Sequence, residues 1–411
     1  MRISFIIPSR NNLKYLQQAV QSITDCYGTE HDIVLLDDAS TDGTWEWIES
    51  LQGQHFIKHR NEGPDRVGHT ILYDKGVELS KTEIFSILHA DMITTKNHVA
   101  NSLKHMKPGV VVAATRIEPP LHPPGPEKYV RAFGFEPEEF KRDAFLQEVE
   151  VLEQEHANKH TNGIFAPWMM YKTDFESIGG HDPLFAPMEL EDSDIFNRMH
   201  LAGYKLIQSR DSFVYHMTCR GSRFKDGIEI EAEIPLPDGT IWYKPKDSEE
   251  YKTLRAIKFR EWWRKWGQNV LHDDLMMPKV LPKYNIAFRV ENCSQDLLHA
   301  LEPWCDRIYS DADWMKYIIL EQPKTLFNLR KRCHSLTDTD RYDYDDIIVE
   351  INGQRFTNHD FAYIQQLSEI LDASDLLNEF SQPGEQFELG NLKITIMSVQ
   401  TYEKNLIKTK Q

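Results

Sequence analysis

The sequence predicts an α/β fold with a largely parallel sheet, followed by a smaller α/β or α+β domain. In the first third of the chain, short apolar runs alternate with segments whose apolar residues recur at helical spacing. This alternation is typical of βαβ units. Three acidic or histidine clusters follow predicted strand ends, where open α/β sheets place their ligand crevice. At 411 residues the chain exceeds what one hydrophobic core usually serves, which favours two domains.

The first half of the chain supplies the elements of this sheet in order. One helix follows residues 11–12, and a second follows the capping residues 40–42. The proline-rich segment 118–126 is predicted to be a loop. The predicted strands are residues 2–7, 33–36, 84–88 and 110–113, and residues 136–158 are predicted to be helical.

The pattern of short apolar runs restarts near residue 279. Strand-like runs lie at residues 285–290, 317–320, 347–351 and 392–397. We therefore place a domain boundary near residues 270–280, with a first domain of residues 1–270 and a second of residues 280–411. The sequence assigns no ligand to the second domain. Acceptor selection, oligomerisation and docking of a second enzyme all stay open for it.

Composition and charge restrict the location and the partners of the protein. The net charge of −17 disfavours nucleic acid, because an acidic surface repels phosphate backbones. No apolar run approaches the roughly 20 residues that span a bilayer, and the N-terminus lacks the layout of a signal peptide. We expect a cytoplasmic protein, with peripheral attachment to the inner membrane face as an option. The scattered cysteines form no metal-type pair, so we expect reduced thiols at Cys26, Cys219, Cys293, Cys305 and Cys333.

The first chemical cluster is the pair Asp37 and Asp38, which follows four aliphatic residues of a predicted strand. A carboxylate in this position accepts hydrogen bonds from a base or a ribose. An Asx-type turn that caps the next helix explains Ser40, Thr41 and Asp42 without a ligand. It does not explain two adjacent carboxylates directly after a buried strand. The pattern therefore favours ligand binding for Asp37 and Asp38 and capping for the residues after them.

His89 and Asp91 form the second cluster. Alternation along an extended segment puts both side chains on one side, where both reach one ion. A divalent cation that bridges two phosphates takes such ligands and stabilises a leaving diphosphate. His216 follows another apolar run and offers a further metal ligand. Since such residues also occur in ordinary turns and cores, the residues alone leave both interpretations open.

The third cluster, residues 189–194, opens a predicted helix that continues to Gly203. Acidic residues in a first helical turn are stabilised by the helix dipole, which explains part of the cluster. A general base must be a carboxylate or an imidazole within hydrogen-bond reach of the hydroxyl that it deprotonates. Asp192 and Glu191 both fit that role.

Taken together and in this order, these segments resemble the family 2 glycosyltransferases, which have the GT-A fold with a mixed, mostly parallel sheet. The likeness covers residues 1–267. The triplet 89–91 stands at the place of the family's DXD metal motif. The other segments that carry the likeness are residues 3–11, 36–44, 61–63, 179–182, 191–194, 198–204, His216 and residues 264–267.

The resemblance implies transfer of a sugar, with inversion, from a nucleotide-diphosphate donor, a UDP-sugar being favoured. The acceptor would be a hydroxyl on a glycan, a lipid-linked molecule or another compound, as in polysaccharide biosynthesis. Asp91 and His216 would hold Mn²⁺ or Mg²⁺, and Asp192, with Glu191 beside it, would deprotonate the acceptor. The donor would contact Pro8, Arg10, Asn11, Asp37, Asp38, Ser40, Asn61 and His89.

Two departures from the family pattern bear on the reaction. His89 stands where the first acid of DXD belongs, so Asp91 is the better supported metal ligand. The chain also has no QxxRW motif, because residues 261–266 lack its spacing. The missing motif argues against a processive, membrane-embedded synthase.

Two other functions and one other acceptor stay open. A nucleotide-sugar-binding or scaffold protein would explain His89 as part of a degenerate metal site. A sugar nucleotidyltransferase would need a glycine-rich loop and a lysine after the first strand, and residues 9–12 supply neither. A modified DNA base is an alternative acceptor, because residues 258–266 interleave cations with aromatic rings. The helical spacing of that stretch favours a packed closing helix instead.

Overall fold

The computed structural model describes residues 1–218, 228–237, 239–338, 345–373 and 382–408. The chain divides into two compact units. The first unit comprises Met1–Leu254, His272–Pro278 and Lys408–Gln411, and the second comprises Arg255–Leu271 and Lys279–Ile407. The domain boundary predicted near residues 270–280 stays a prediction.

A ten-stranded mixed sheet forms the centre of the first unit. Its elements are β1 (Ser4–Ser9), α1 (Leu13–Tyr27), β2 (Asp32–Asp38), α2 (Thr44–Ser50), β3 (Phe56–Asn61), α3 (His69–Leu79), β4 (Ile84–Ile87), β5 (Met92–Thr94), α4 (His98–Leu103), β6 (Val110–Glu118), β7 (Lys128–Val130), α5 (Arg142–Glu155), β8 (His160–Asn162), β9 (Trp168–Tyr171), α6 (Lys172–Ser177), α7 (Glu191–Leu201) and β10 (Lys205–His216). The strand order is β3-β2-β1-β4-β9-β6-β10-β5, with β7 beside β6 and β8 beside β10. A separate hairpin of β11 (Ile230–Pro235) and β12 (Ile241–Pro245) follows.

Five strands of this sheet end at the same edge. Strands β1, β2 and β4 are parallel, β9 is antiparallel to both β4 and β6, and β10 is parallel to β6. Because the two reversals cancel, β6 and β10 run in the direction of β4. The residues at or just beyond these carboxyl ends are Ser9, Asp38, His89, Glu118 and His216. Open α/β sheets bind their ligands at this edge.

Burial on both faces explains the apolar runs of the central strands. Every residue of β1 and β2 is buried, as expected where helices cover a parallel sheet on each side. Helix α3 packs closely on β1 through Gly76. A Cβ atom at Gly76 would lie 2.2 Å from Ile6 Cγ2, so a larger side chain would push the helix off the strand.

The second unit has its own six-stranded sheet, in the order β15-β14-β13-β16-β18-β17. The later part of helix α8 (Glu249–Trp266) precedes this sheet. The further elements are β13 (Ile286–Glu291), α9 (Gln295–Leu301), β14 (Arg307–Ser310), α10 (Trp314–Glu321), β15 (Cys333–Ser335), β16 (Ile347–Asn352), α11 (Asn358–Gln365), α12 (Leu367–Ala373), β17 (Glu385–Leu389) and β18 (Leu392–Ile396). Strands β13 to β16 are parallel, and β17 and β18 form an antiparallel edge. Apolar side chains from one face of this sheet pack with helix residues into one core.

The structure confirms the predicted fold class, a mixed α/β sheet followed by a second sheet-containing region. The strand predicted at residues 317–320 is wrong, because these residues lie in α10. The Asp313 side chain accepts a hydrogen bond from the Lys316 amide and so caps a helix. Only Tyr317 and Ile318 of that apolar run are buried.

The predicted caps of α2 need a correction. The N-cap residue is Gly43, and of the three predicted residues only Asp42 accepts the Thr44 amide, at 3.1 Å. Ser40 Oγ instead accepts from the Asn11 amide, and the Thr41 amide donates to Asn11 Oδ1. These two residues therefore connect the β1–α1 loop to the β2–α2 loop.

The basic, aromatic stretch 258–266 is a packed helix. Trp262 and Trp266 are buried, and Trp263 stacks on Trp304 with ring centroids 4.6 Å apart. The Arg264 guanidinium donates to Glu302 Oε2 at 2.7 Å. Its aromatic rings and this cation thus belong to the interior of the fold, as the helical spacing favoured.

Two further observations concern cysteines and membranes. Cys219 lies outside the described residues, and the other four cysteines are free thiols. Among the described residues, no helix combines the length and the apolar character needed to cross a bilayer.

Candidate functional site

A cavity of about 710 Å³ opens at the carboxyl edge of the sheet in the first unit. It collects residues from the ends of four strands and from the first turn of α7. The predicted site residues that line it are Pro8, Arg10, Asp38, His89, Asp91, Glu191, Asp192 and His216. The predicted residues outside its lining are Asn11, Asp37, Ser40 and Asn61.

His89, Asp91 and His216 form a compact cluster in this cavity. Each offers one ligand atom, and these atoms all lie within 4.8 Å of one another. His216 Nε2 is 3.4 Å from Asp91 Oδ1, and the rings of His89 and His216 have centroids 5.3 Å apart. Burial, together with the charge of His216, lowers the pKa of His89 to about 3, so its imidazole is neutral near pH 7. A carboxylate oxygen and two imidazole nitrogens fit a divalent ion such as Mn²⁺.

Glu118 fixes the orientation of His216. Its Oε1 lies 2.8 Å from His216 Nδ1, which leaves Nε2 on the side of Asp91. Burial opposes ionisation of Glu118, but Arg116, His216 and Lys128 outweigh it and hold the pKa of the carboxyl well below its usual range. A carboxylate behind a ligating histidine is a common second layer of metal sites, because it fixes the tautomer of the ring.

The acid pair Glu191 and Asp192 stands at the start of α7. Two residues in the left-handed region precede it, Glu189 at φ 84° and Leu190 at φ 69°. Such backbone is uncommon for residues with a side chain and often occurs at functional sites. His69, the first residue of α3, places Nε2 at 2.6 Å from Glu191 Oε1.

The two carboxyls of this pair differ in acidity. Burial, and then the negative charge of Glu191, raises the pKa of Asp192 to about 6. Burial also opposes ionisation of Glu191, but the charge and the hydrogen bond of His69 lower the pKa of Glu191 below its ordinary value. The same contact raises the pKa of His69 against the effect of burial. The structure therefore favours the charged forms of His69 and Glu191 as a pair, beside a carboxylate with the acidity of a general base.

Asp38 anchors the loop that follows β3. Its carboxylate accepts three hydrogen bonds, from Asn61 Nδ2 at 2.8 Å, the Val67 amide at 2.8 Å and the Gly68 amide at 2.9 Å. Arg10 Nη1 donates to the Asp38 carbonyl at 2.5 Å. Asp38 and Asn61 thus hold in place the loop at the cavity wall, and the Arg10 side chain lines that wall.

Asp37 is fully buried behind this wall. The Ser40 amide donates to its Oδ2 at 3.3 Å, and Arg60 Nε lies 3.7 Å from the same oxygen. Its Oδ1 is buried and has no hydrogen-bond partner among the residues that the structure describes. Burial raises the pKa of Asp37. Asp37 and Asp38 were both predicted to bind a ligand from their position at a strand end, but only Asp38 lies at the cavity surface.

The sequence patterns do not predict several residues of the site. Glu118 had a usable signal, because it ends a buried strand as Asp38 does. The apolar run that predicted β6 stops at Ala113, five residues before this strand ends. His69 follows a loop and carried no signal. The other cavity residues not predicted include Arg66, Tyr73, Arg116, Glu127 and Lys128. Trp168, an aromatic residue of β9, is fully buried in the core.

Residues 4–163 match the model of glycosyl transferase family 2. No curated protein sequence matches the chain. Among solved structures, GalNAc-T7 with UDP, GalNAc and Mn²⁺ has a TM-score of 0.40 at 16% identity, over 53% of this chain and 44% of that protein. The mannosyltransferase PcManGT from Pyrobaculum calidifontis with GDP-Man and Mn²⁺ has a TM-score of 0.37 at 20% identity, over 54% and 59%. TarS 1–349 of S. aureus with UDP has a TM-score of 0.38 at 14% identity, over 52% and 60%.

The chain covers between 44% and 60% of the length of these solved proteins. The family match includes Asp37, Asp38, His89 and Asp91 and ends before the acid pair of α7 and before His216. The strand ends and the loop that carry the first two clusters fall inside it. Residues 4–163 are therefore similar to glycosyl transferase family 2.

Proposed function

We propose that the first unit transfers a sugar from a nucleotide-diphosphate donor to an acceptor hydroxyl. One observation supports this proposal in addition to the family match. Asp192, with a pKa raised to about 6, lines the same cavity as the His89–Asp91–His216 cluster. A general base and a set of metal-ligand side chains in one cavity are what a metal-dependent displacement from a diphosphate needs.

The donor lies, in this proposal, along the ends of β1 and β2. Asp38 and Arg10 line this part of the cavity, and Asp38 also holds the loop 61–68 in place. Asn11, Ser40 and Asn61 act by supporting these loops, because their hydrogen bonds run to neighbouring backbone and side chains. Pro8 forms part of the wall. We keep a UDP-sugar as the favoured donor.

His89, Asp91 and His216 would hold a Mn²⁺ or Mg²⁺ ion. When bound, the ion supplies positive charge that stabilises the departing diphosphate. The chain's own contribution is to present a neutral His89 and a His216 whose ring is fixed by Glu118.

Asp192 is the proposed base of the reaction. As the acceptor oxygen forms its bond to the anomeric carbon, the bond from that carbon to the diphosphate breaks, and the acceptor proton moves to the Asp192 carboxylate. A single displacement of this kind inverts the anomeric centre. Base catalysis of this type contributes about 10²–10⁴-fold in rate. Glu191, paired with His69, raises the basicity of Asp192 through its charge.

The acceptor is a glycan, lipid-linked or other hydroxyl in this proposal, in a non-processive reaction of polysaccharide synthesis in the cytoplasm. These finer assignments rest on the sequence. The chain lacks the QxxRW motif of processive synthases.

A panel of nucleotide-sugars tests the proposal directly. Thermal unfolding of the full chain is followed with each donor, with and without Mn²⁺, in the wild type and in Asp91→Ala. We expect one donor to raise the unfolding temperature of the wild type only with Mn²⁺, and to have little effect on Asp91→Ala. If no donor stabilises the wild type in either condition, the proposal is wrong.

A further inference from the structure

The exposed side of α10 and of the segment after it carries unusually exposed aliphatic side chains. Ile319, Leu320 and Leu326 are 70%, 60% and 74% exposed. Together with Met1, they are the most exposed large apolar side chains among the described residues. A cluster of such side chains within eight residues of sequence differs from the scattered apolar residues of an ordinary surface and marks an interaction site.

Helix geometry puts Ile319 and Leu320 on the exposed face of α10. Met315 and Ile319 are separated by four positions, as are Lys316 and Leu320, so the four residues are neighbours on the helix surface. Tyr317 and Ile318 point the other way and are buried in the core of the second unit. The outward face of α10 is therefore apolar along its length, with a lysine at its border.

Asp311 and Asp313 precede α10, but from Lys316 onward the exposed charges of this segment are basic. Lys316, Lys324, Arg330 and Lys331 are exposed. Between residues 314 and 332 the sequence has a single acid, Glu321, which is buried and accepts hydrogen bonds from Arg260 at 2.6 Å and Arg264 at 2.9 Å. Its negative charge is thus compensated inside the unit. A locally basic surface is unusual in a chain whose net charge is −17.

We propose that this surface binds the face of an anionic lipid bilayer, independently of the chemistry of the first unit. We call it the apolar–basic face, and it consists of Met315, Lys316, Ile319, Leu320, Lys324, Leu326, Arg330 and Lys331. Aliphatic side chains enter the boundary between headgroups and acyl chains, while surrounding lysines and arginines contact anionic headgroups. The negative surface potential of such a bilayer also attracts this basic face and repels the acidic remainder of the chain.

The same observations argue against two other occupants. A second copy of this chain on a two-fold axis would bring the same patch of both copies together. Lys316, Arg330 and Lys331 of both copies would then gather in one interface, which like-charge repulsion disfavours. Single-stranded nucleic acid is bound largely by stacking on aromatic rings, whereas the exposed apolar side chains here are Ile, Leu and Met.

Sedimentation with vesicles tests the proposal. The full chain is mixed with vesicles of phosphatidylcholine alone or of phosphatidylcholine with phosphatidylglycerol, at low and at raised salt. One double variant carries Ile319→Gln and Leu326→Gln, and a second carries Lys316→Gln and Lys331→Gln. Val151→Gln is the matched control, because Val151 is another exposed apolar residue, 53% exposed, in the first unit. All substituted positions are exposed, so the unfolding temperature should not change.

We expect the wild type to sediment with the anionic vesicles and salt to weaken this binding. Each double variant should lose about tenfold in vesicle partitioning, whereas Val151→Gln should match the wild type. No binding to anionic vesicles, or equal binding by the double variants, overturns the proposal. So does a wild-type dimer that Ile319→Gln and Leu326→Gln convert to a monomer without any vesicle binding. A gel shift with single-stranded DNA that only the lysine variant loses, again without vesicle binding, overturns it as well.

Discussion

His69 Nε2 lies 2.6 Å from Glu191 Oε1, so one acid of the pair at the start of α7 is bound to a histidine while its neighbour, Asp192, is left as the more basic carboxyl. The contact joins the first residue of α3 to the first residue of α7. The contact thus leaves Glu191 as the charged partner of His69 and Asp192 as the base, although the two carboxyls are adjacent in the sequence.

The pH dependence of transfer should report this division. Asp192 must be unprotonated to act, so kcat/KM should fall as the pH drops through about 6. In His69→Gln the carboxyl pair loses its neighbouring positive charge, and this fall should move to higher pH. In Glu191→Gln the negative neighbour of Asp192 is removed, and the fall should move to lower pH. The measurement is kcat/KM against pH for the three proteins.

Opposite shifts are the decisive feature of that experiment. A histidine and a glutamate that merely stabilise the fold would lower activity without moving the pH at which it falls. If both variants keep the wild-type profile, Asp192 is not the group that the profile reports. Because the pair titrates jointly, the profile gives values for the pair rather than for one carboxyl.

Glu118→Gln should weaken metal binding. The carboxylate fixes the tautomer of His216, and loss of such a partner typically costs about 10–100-fold in metal affinity. Calorimetry with Mn²⁺ in the absence of donor measures this affinity. Glu127→Gln is the control, because Glu127 contacts Arg116 and Lys128 in the same cluster of ion pairs. If both variants bind Mn²⁺ as the wild type does, Glu118 does not act on the ligand.

Asp38→Ala should release the loop 61–68 and weaken donor binding by about tenfold or more, because three hydrogen-bond donors lose their shared acceptor. Hydrogen exchange at the Val67 and Gly68 amides should become faster in this variant. Asp42→Ala is the control, since Asp42 binds the Leu13 and Thr44 amides instead. Unchanged exchange at both loop amides in Asp38→Ala would contradict the anchoring role.

Glu302→Gln should destabilise the second unit by about 3–5 kcal/mol, as removal of one partner from a buried ion pair typically does. Glu302 is fully buried and receives hydrogen bonds from Arg264, Arg332 and Tyr317. The measurement is the free energy of unfolding in denaturant. Glu350→Gln is the control, because its ion pair with Lys393 is half exposed and should contribute at most about 1 kcal/mol.

The same residue predicts a pH dependence of stability. Burial opposes ionisation of Glu302, but Arg332 and Arg264 outweigh it and lower the pKa to about 2 from an ordinary value of 4.5. A lowered pKa stabilises the folded state fully above 4.5, and this stabilisation is lost as the pH falls towards 2. The wild type should therefore lose stability in acid more steeply than Glu302→Gln. Parallel curves for the two proteins would contradict this assignment.

The fold was largely predictable because its central strands are continuous apolar runs. Because β1 and β2 are buried on both faces, they contain continuous apolar runs that can be recognised from the local sequence alone. At residues 317–320 a similar apolar run belongs to a helix instead. The Asp313 cap and the exposure of two residues of this run come from packing, which the local sequence pattern does not contain. The hairpin of β11 and β12 also went unpredicted.

The site residues were predictable where an ionisable side chain lies at or just beyond the end of a strand. Asp38, Asp91 and His216 lie at the predicted edge, and His89 joins them although it departs from the family's acid. The contacts that control acidity and orientation come from elsewhere in the chain. Glu118 lies 98 residues from His216, and His69 lies 122 residues from Glu191. Only the folded chain brings such partners together.

The most direct test follows donor consumption and donor binding together in the wild type, in Asp192→Asn and in Asp91→Ala, with Mn²⁺ and a suitable acceptor. Glu176→Gln, an exposed acid on α6, is the control. We expect Asp192→Asn to bind the donor normally but to lose about 10²–10⁴-fold in transfer rate, whereas Asp91→Ala should lose metal-dependent donor binding. Transfer by Asp192→Asn at the wild-type rate would show that Asp192 is not the base.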